Sequence, residues 1–247
     1  MSQRVLVACC VLAFGVSLAF AKQHSEDFDG PVRPAVWSIR NADAPNSIAT
    51  QGGWLEVTVG VDQLVWPWDV PRTNAPMLLL APPVPDDKFT LETRVRVQHP
   101  GGGTWGSIAG LGIIRKDGTA AWIWGLWNVD SVALREHDVE RIGEVTWVRV
   151  FNTDEAWLGI AKDHDEYTFR HRLHADDDWI ETTERPFSSP GFVGLLASGE
   201  YLVGLIAAGG GEETRVQFDY FDSPELGVVD VKAGGKLPLT WAELRTR

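Results

Sequence analysis

The stretch that most constrains this chain is Phe89-Thr90-Leu91-Glu92-Thr93-Arg94-Val95-Arg96-Val97, where apolar and polar residues alternate over nine positions. A period of two marks a β-strand with one face buried and one face wet, because successive side chains point to opposite sides of the backbone. Phe89, Leu91, Val95 and Val97 fall on one face, with Thr93 as its one polar break, and Thr90, Glu92, Arg94 and Arg96 fall on the other. A helix, with its longer period, would scatter the same apolar residues around its whole circumference.

The same pattern recurs along the chain. Gly52-Gly53 reads as a turn before Trp54–Val59, which sets Leu55, Val57 and Val59 against Trp54, Glu56 and Thr58. Ala109–Asn128, AGLGIIRKDGTAAWIWGLWN, reads as a central hairpin, two apolar runs joined by a Gly-containing turn. Shorter runs at Met77–Leu80, Val132–Arg135, Val145–Phe151, Ala156–Ala161, Tyr167–Leu173, Phe192–Leu196, Leu202–Ala208 and Val216–Phe221 are bounded by Gly, Pro, Asn or Asp. No helical stretch of useful length separates them. Roughly eleven to thirteen strands at this spacing predict an all-β fold, a sandwich of two packed antiparallel sheets in one domain.

The first residues add an address. Arg4, an apolar run from Val5 to Phe20 and Ala19-Phe20-Ala21 before Lys22 form the pattern of a cleaved secretory signal. The expected organisation is a signal peptide over 1–21, a sandwich over 22–226 and a C-terminal tail over 227–247, in a secreted, periplasmic or envelope protein with no membrane insertion after cleavage. Both cysteines, Cys9 and Cys10, lie in the leader, so the mature chain is expected to fold without a disulfide or a cysteine metal site. The formal charge of −12 becomes more negative by one when Arg4 leaves, and it repels phosphate backbones, so no nucleic-acid partner is expected. The tail has an amphipathic look, with Leu239, Trp241 and Leu244 as a surface for a protein partner.

Twelve tryptophans against three tyrosines are the second constraint. An indole offers a broad apolar face and one N–H donor, which suits both a core and a platform for sugar rings. Trp122 and Trp124 share one face of the hairpin, and two readings stand for them: a ligand surface, or filling between the sheets. Pro67 removes a ladder donor and makes Val65–Asp69 a loop or edge, which favours exposed rings at Trp66 and Trp68, with Trp105 beside them at the rim. Trp37, Trp54, Trp147 and Trp157 are assigned to the core. No cofactor is expected. Asp163, Asp165 and Asp177 lie in acidic clusters that could hold a structural Ca²⁺, the alternative being solvated turns.

The order of the segments EDFDG, GGWLEVTVG, FTLETRVRV, AGLGIIRKDGTAAWIWGL, TWVRVFN, DDDWIETTERPF, PGFVGLLASG and VQFDYFD resembles the concanavalin A-like lectin/glucanase superfamily. It looks closest to the bacterial β-sandwich group related to the C-terminal domain of β-xylosidases. The resemblance implies a two-sheet antiparallel jelly-roll sandwich with one convex and one concave sheet, a poly- or oligosaccharide as the commonest ligand, and an accessory role with no universal catalytic residue. Where relatives have Ser-x-Asp-Gly before a Trp, this chain has His174-Ala175-Asp176-Asp177-Asp178-Trp179.

Glu136-His137-Asp138-Val139-Glu140 is similar to the catalytic strand of laminarinase-like glucanases in the same superfamily. That likeness would make Glu136 the nucleophile, Asp138 its helper and Glu140 the acid/base, on a strand whose alternate side chains bring carboxyl groups near the separation retaining glycosidases need. Arg141-Ile142-Gly143-Glu144 supports a charged turn over Glu136–Glu144 instead. Three functions follow: a carbohydrate-binding module gripping glycans through tryptophans without catalysis, a laminarinase-like glycoside hydrolase, and an envelope structural or protein-interaction domain.

Overall fold

The computed structural model describes residues 24–63, 74–80, 88–116, 120–128, 130–138, 142–149, 153–164, 166–181 and 201–224. The expected leader over 1–21, the Trp66-Pro67-Trp68 segment, the 192–196 run and the expected tail over 227–247 lie outside the described residues. Fifteen strands and no helix are found among the described residues, and the strands form two antiparallel sheets. The first sheet runs β13 (Ile180–Glu181), β12 (Glu166–Arg172), β11 (Glu155–Asp163), β6 (Lys88–Gln98), β15 (Thr214–Ser223), β4 (Trp54–Val59), β3 (Ser47–Gln51), with β1 (His24–Glu26) also paired to β15. The second runs β10 (Ile142–Arg149), β9 (Ser131–Asp138), β8 (Ala120–Trp127), β7 (Ile108–Arg115), β14 (Tyr201–Ala208), β5 (Met77–Leu80), β2 (Trp37–Arg40).

The two sheets are written differently in the sequence. In the first, alternation is strict: β4 and β6 bury every second residue, leaving the polar half on the outer face. In the second, MLLL in β5 and YLVGLIAA in β14 are apolar at nearly every position. The structure gives the reason, since a strand buried on both faces has no polar set to show. Leu78, Leu80, Leu111, Ile113, Val203 and Leu205 face the inter-sheet core, while Met77, Leu79, Ile114, Ile123 and Ile206 form a second buried cluster on the outer side.

The inter-sheet core closes on aromatic rings. Trp122 packs edge-on against Tyr167 at 4.9 Å between centroids, and Trp124 meets Phe169 at 5.7 Å and His171 at 6.1 Å. Trp124 also donates its indole N–H to the Arg170 carbonyl at 2.8 Å, so the second sheet is hydrogen-bonded as well as packed onto the first. Burial depresses the basicity of the His171 ring, which sits among these aromatics.

Local chemistry fixes the details of the first sheet. Gln51 pairs with Trp54, so Gly52 and Gly53 make a two-residue hairpin turn, and their positive φ values of 61° and 80° are those a type I′ turn requires. Between the Phe218–Val95 and Phe221–Thr93 pairs, Asp219 and Tyr220 stand opposite Arg94 alone, which is a β-bulge. The bulge keeps both phenylalanines facing inward. Thr93 accounts for its own exception in the apolar pattern: fully buried, it donates its hydroxyl to the Tyr220 carbonyl at 2.5 Å, within the bulge. Replacing Thr93 by Val keeps shape and removes that donor, so the urea midpoint should fall by the equivalent of about 1–3 kcal/mol.

Candidate functional site

The outer face of the first sheet carries the most ordered set of polar and aromatic side chains among the described residues. Register builds it. Trp157 of β11 pairs with Arg172 of β12 on one side and with Arg94 of β6 on the other, so the three share one row across the strands. The Arg94 guanidinium lies 4.8 Å from the Trp157 ring and 5.1 Å from the Trp54 ring, and that of Arg172 lies 5.9 Å from Trp157 and 4.8 Å from Trp179. The result is an alternating ladder, Trp54–Arg94–Trp157–Arg172–Trp179. It reaches from β4 to beyond β12, about 19 Å at the usual strand spacing. Each contact is a cation–π pair worth about 0.5–1 kcal/mol where partly exposed. Trp157 is covered on both sides, at 8% exposure, whereas Trp54 and Trp179 at the ends are half-buried.

Carboxylates tie the ladder down. Glu155 takes Arg94 on one oxygen, Nη2 at 2.6 Å, and Arg96 on the other, also at 2.6 Å, while Arg94 reaches the bulge residue Asp219 at 3.0 Å. Burial alone would raise the Glu155 carboxyl, but the hydrogen bonds from Arg96 and Arg94 outweigh it and hold the group below its ordinary value. One row along, Arg170 pairs with Glu92 across the whole of β11. It can do so because residue 159 between them is glycine, where a Cβ would stand 2.6 Å from Arg170 Nε. Gln217 donates to Glu56 at 2.8 Å on the far side. Tyr220 lies beneath this face, and burial, with Glu92 adding to it, pushes its hydroxyl above the ordinary phenol range.

Trp179 is delivered by the turn after β12. Asp177 accepts the His174 N–H at 3.0 Å and donates its own N–H to the His174 carbonyl, and Arg172 donates to the Ala175 carbonyl. That turn folds Trp179 back over Arg170 and Arg172. Asp177 is therefore a turn-forming residue. Asp163, exposed, pairs with Lys88 at 3.2 Å and His164 at 2.8 Å. The two aspartates stand beyond opposite ends of β12, Asp165 lies outside the described residues, and no group of three or more metal-ligating residues occurs among the described ones.

The tryptophans divide differently from the sequence reading. Trp122 and Trp124, candidate ligand contacts with inter-sheet filling as the other reading, are 4% and 0% exposed and belong to the inter-sheet core, so the ligand-surface reading is corrected in favour of filling. Tyr167, Phe169 and His171 cover their rings. Trp37 is core as expected, its ring edge-on to Phe221 at 5.1 Å. Trp54 and Trp157, also assigned to the core, lie instead on the outer face, because Leu55 and Leu158 take the inward positions beside them. The Trp147 side chain is outside what is described. Trp179, which the sequence reading did not single out, is the ring it missed, and the signal was its place directly after the acidic turn that follows the alternating EYTFRHR strand.

At one end of the sandwich Trp105 is 65% exposed. Its loop is held by Gly103 donating to Glu212 at 3.0 Å, beside Asp62 donating to the Gly210 carbonyl at 2.8 Å. Trp66 and Trp68 lie outside the described residues. The chain enters their segment from Gln63, whose carbonyl accepts from Gly209 at this same rim. Glu136 and Asp138 occupy alternate positions on β9, opposite Trp122 and Ala120, so strand structure extends into the expected charged turn. Their side chains, and all of Glu140, lie outside what is described.

No family model and no curated protein matches the chain. Solved structures do. The fold is similar to the GH43 protein BlXynB from Bacillus licheniformis, with 16% identity, a TM-score of 0.61, and coverage of 81% of this chain and 38% of that one. It is similar to a GH43B of a Bacteroides ovatus xyloglucan PUL, at 18% identity, TM-score 0.60, and the same 81% and 38% coverage. It is also similar to the catalytic domain of an endo-1,3-beta-glucanase (laminarinase) from Thermotoga petrophila, at 14% identity and TM-score 0.51, covering 81% of this chain and 95% of that one. The chain thus spans less than two fifths of the GH43 proteins. At these identities the likeness is one of fold, a sandwich of two antiparallel sheets.

The Glu155 clamp sets an acid limit on stability. A carboxyl held below its unfolded value contributes stability that is present above that value and is lost as pH falls through the folded one. Urea midpoints should therefore drop as pH is lowered below about 4.3, and Glu155→Gln should flatten that drop while lowering the midpoint at pH 7.

Proposed function

We propose that this chain is an exported glycan-binding sandwich whose outer sheet face, and not its central hairpin, receives the sugar. The observation that carries the reading is the Trp–Arg ladder, with a half-buried indole at each end and hydrogen-bonding side chains between. Sugars present apolar ring faces and hydroxyl edges, and a site that meets both needs aromatic platforms next to fixed polar groups. Trp54 and Trp179 are the platforms. Glu56, Gln217 and Asp219 supply acceptors and donors already oriented by their partners, so little ordering is needed on binding. Trp105 extends the surface at the rim. The fold neighbours, proteins named as GH43 members and a laminarinase, support a carbohydrate ligand class.

On a glycan array the mature protein should bind a subset of plant or microbial oligosaccharides. Trp54→Ala and Trp179→Ala should each weaken that binding about five- to tenfold, the equivalent of about 1–1.4 kcal/mol per lost stacking ring. Trp105→Ala reports on the rim. Binding unchanged in both the Trp54 and Trp179 variants would move the site off this face.

A second reading, glycoside hydrolysis, is favoured by the near-complete overlap with the laminarinase catalytic domain and by Glu136 and Asp138 at alternate positions of β9. It expects release of reducing sugar from a β-glucan, falling by at least about a hundredfold in Glu136→Gln. Activity retained in both Glu136→Gln and Glu140→Gln removes these residues from any such reaction.

A further inference from the structure

We infer that the glycan this face takes is acidic, and that Arg172 is the contact for a uronic-acid carboxylate. The inference rests on the glycan-binding reading and narrows its ligand class. Five arginines project from the face among the described residues, and four have carboxylates: Arg94 has Glu155 and Asp219, Arg96 has Glu155, Arg170 has Glu92, and Arg215 has Glu213. Among the described residues Arg172 has none. Its Nη1 donates to the Ala175 carbonyl, its buried Nε has no hydrogen-bond partner among the described residues, and the π faces of Trp157 and Trp179 lie against its charge.

An uncompensated guanidinium is unusual in a chain with a formal charge of −12, which has acidic residues to spare. The two rings hold the guanidinium flat and in place, so the rotamer entropy that a carboxylate would otherwise have to overcome is already removed. A guanidinium fork also matches a carboxylate in a way a point charge cannot. The position fits a sugar, because the same ring of Trp179 that steadies Arg172 is one of the two proposed platforms. A uronate at that platform would reach round the ring with its C6 carboxylate to Arg172, which lies over a π face of Trp179 at 4.8 Å. Polyanions with a charge on every unit, such as nucleic acids, are disfavoured by the overall negative charge, whereas a glycan with isolated carboxylates feels mainly the local cation within a Debye length of about 8 Å.

The test uses matched oligosaccharides, uronate-containing chains and the same chains with the carboxylates reduced to hydroxymethyl groups, titrated against the full mature protein by calorimetry. The expected result is tighter binding of the acidic member by roughly tenfold, as for one charge-assisted fork, with the preference shrinking as salt is raised. Arg172→Gln should bring the acidic-to-neutral ratio to about one, and Arg172→Lys should restore only part of it because it keeps the charge and loses the fork. Thermal unfolding of both variants checks that they are folded, and Arg172→Lys decides if Arg172→Gln is not. Neutral and acidic members bound equally by the natural protein, or a ratio that Arg172→Lys leaves intact, overturns the inference and leaves glycan binding standing. No binding of either set, with none on the wider array, overturns the glycan-binding reading itself.

Discussion

The structure depends on the packing of Trp122 and Trp124 against Tyr167, Phe169 and His171. Five aromatic rings from two sheets meet there, and the Trp124 N–H bonded to the Arg170 carbonyl leaves no freedom for β12 to slide. A one-residue slip would turn every side chain of the strand over. With Tyr167, Phe169 and His171 committed inward, Arg170 and Arg172 must face outward, and the outer ladder follows from the core. Site and core are thus two sides of one strand.

The same logic distributes charge. The outer face of the first sheet holds its arginines in pairs with Glu92, Glu155 and Asp219, so most of the charge there is internally balanced and fixed in geometry. Half-exposed ion pairs of this sort add little stability one by one, but sharing Glu155 between Arg94 and Arg96 costs less ordering than two separate pairs. Their larger consequence is rigidity: indoles clamped by guanidiniums, and guanidiniums clamped by carboxylates, present a preformed surface. Among the described residues the other sheet offers nothing comparable, since its central strands β5, β7 and β14 are largely apolar and buried on both faces.

Much of the fold was legible. Alternation marked β4, β6 and β12, continuous apolar runs marked β5 and β14, and the Gly52-Gly53 pair marked the turn that leads into β4. β3, SIATQ, was not legible, because it is a half-exposed edge strand whose position is set by pairing with β4 and not by its own apolar content. The extension of β9 into REHD was hidden for the same reason: charged residues read as a turn until a neighbouring strand supplies the ladder. Of the candidate rings, Trp122 and Trp124 of WIW proved to be core, because the other sheet covers them. The ladder of Trp54, Trp157 and Trp179 was hidden because those rings lie on three separate segments that only the sheet register brings into line.

What the sequence determined by itself was the partition of each strand into two faces, because a period of two follows from backbone geometry alone. It also determined the fold class, since so many short strands with no helix between them can bury their apolar halves only by stacking sheets. Which face meets the other sheet, and which rings end beside which arginines, was decided only in three dimensions. Trp124 and Trp157 are chemically the same residue in similar apolar runs. One is core and the other faces outward because Phe169 stands across the sandwich from the first, while register places Arg94 and Arg172 on either side of the second.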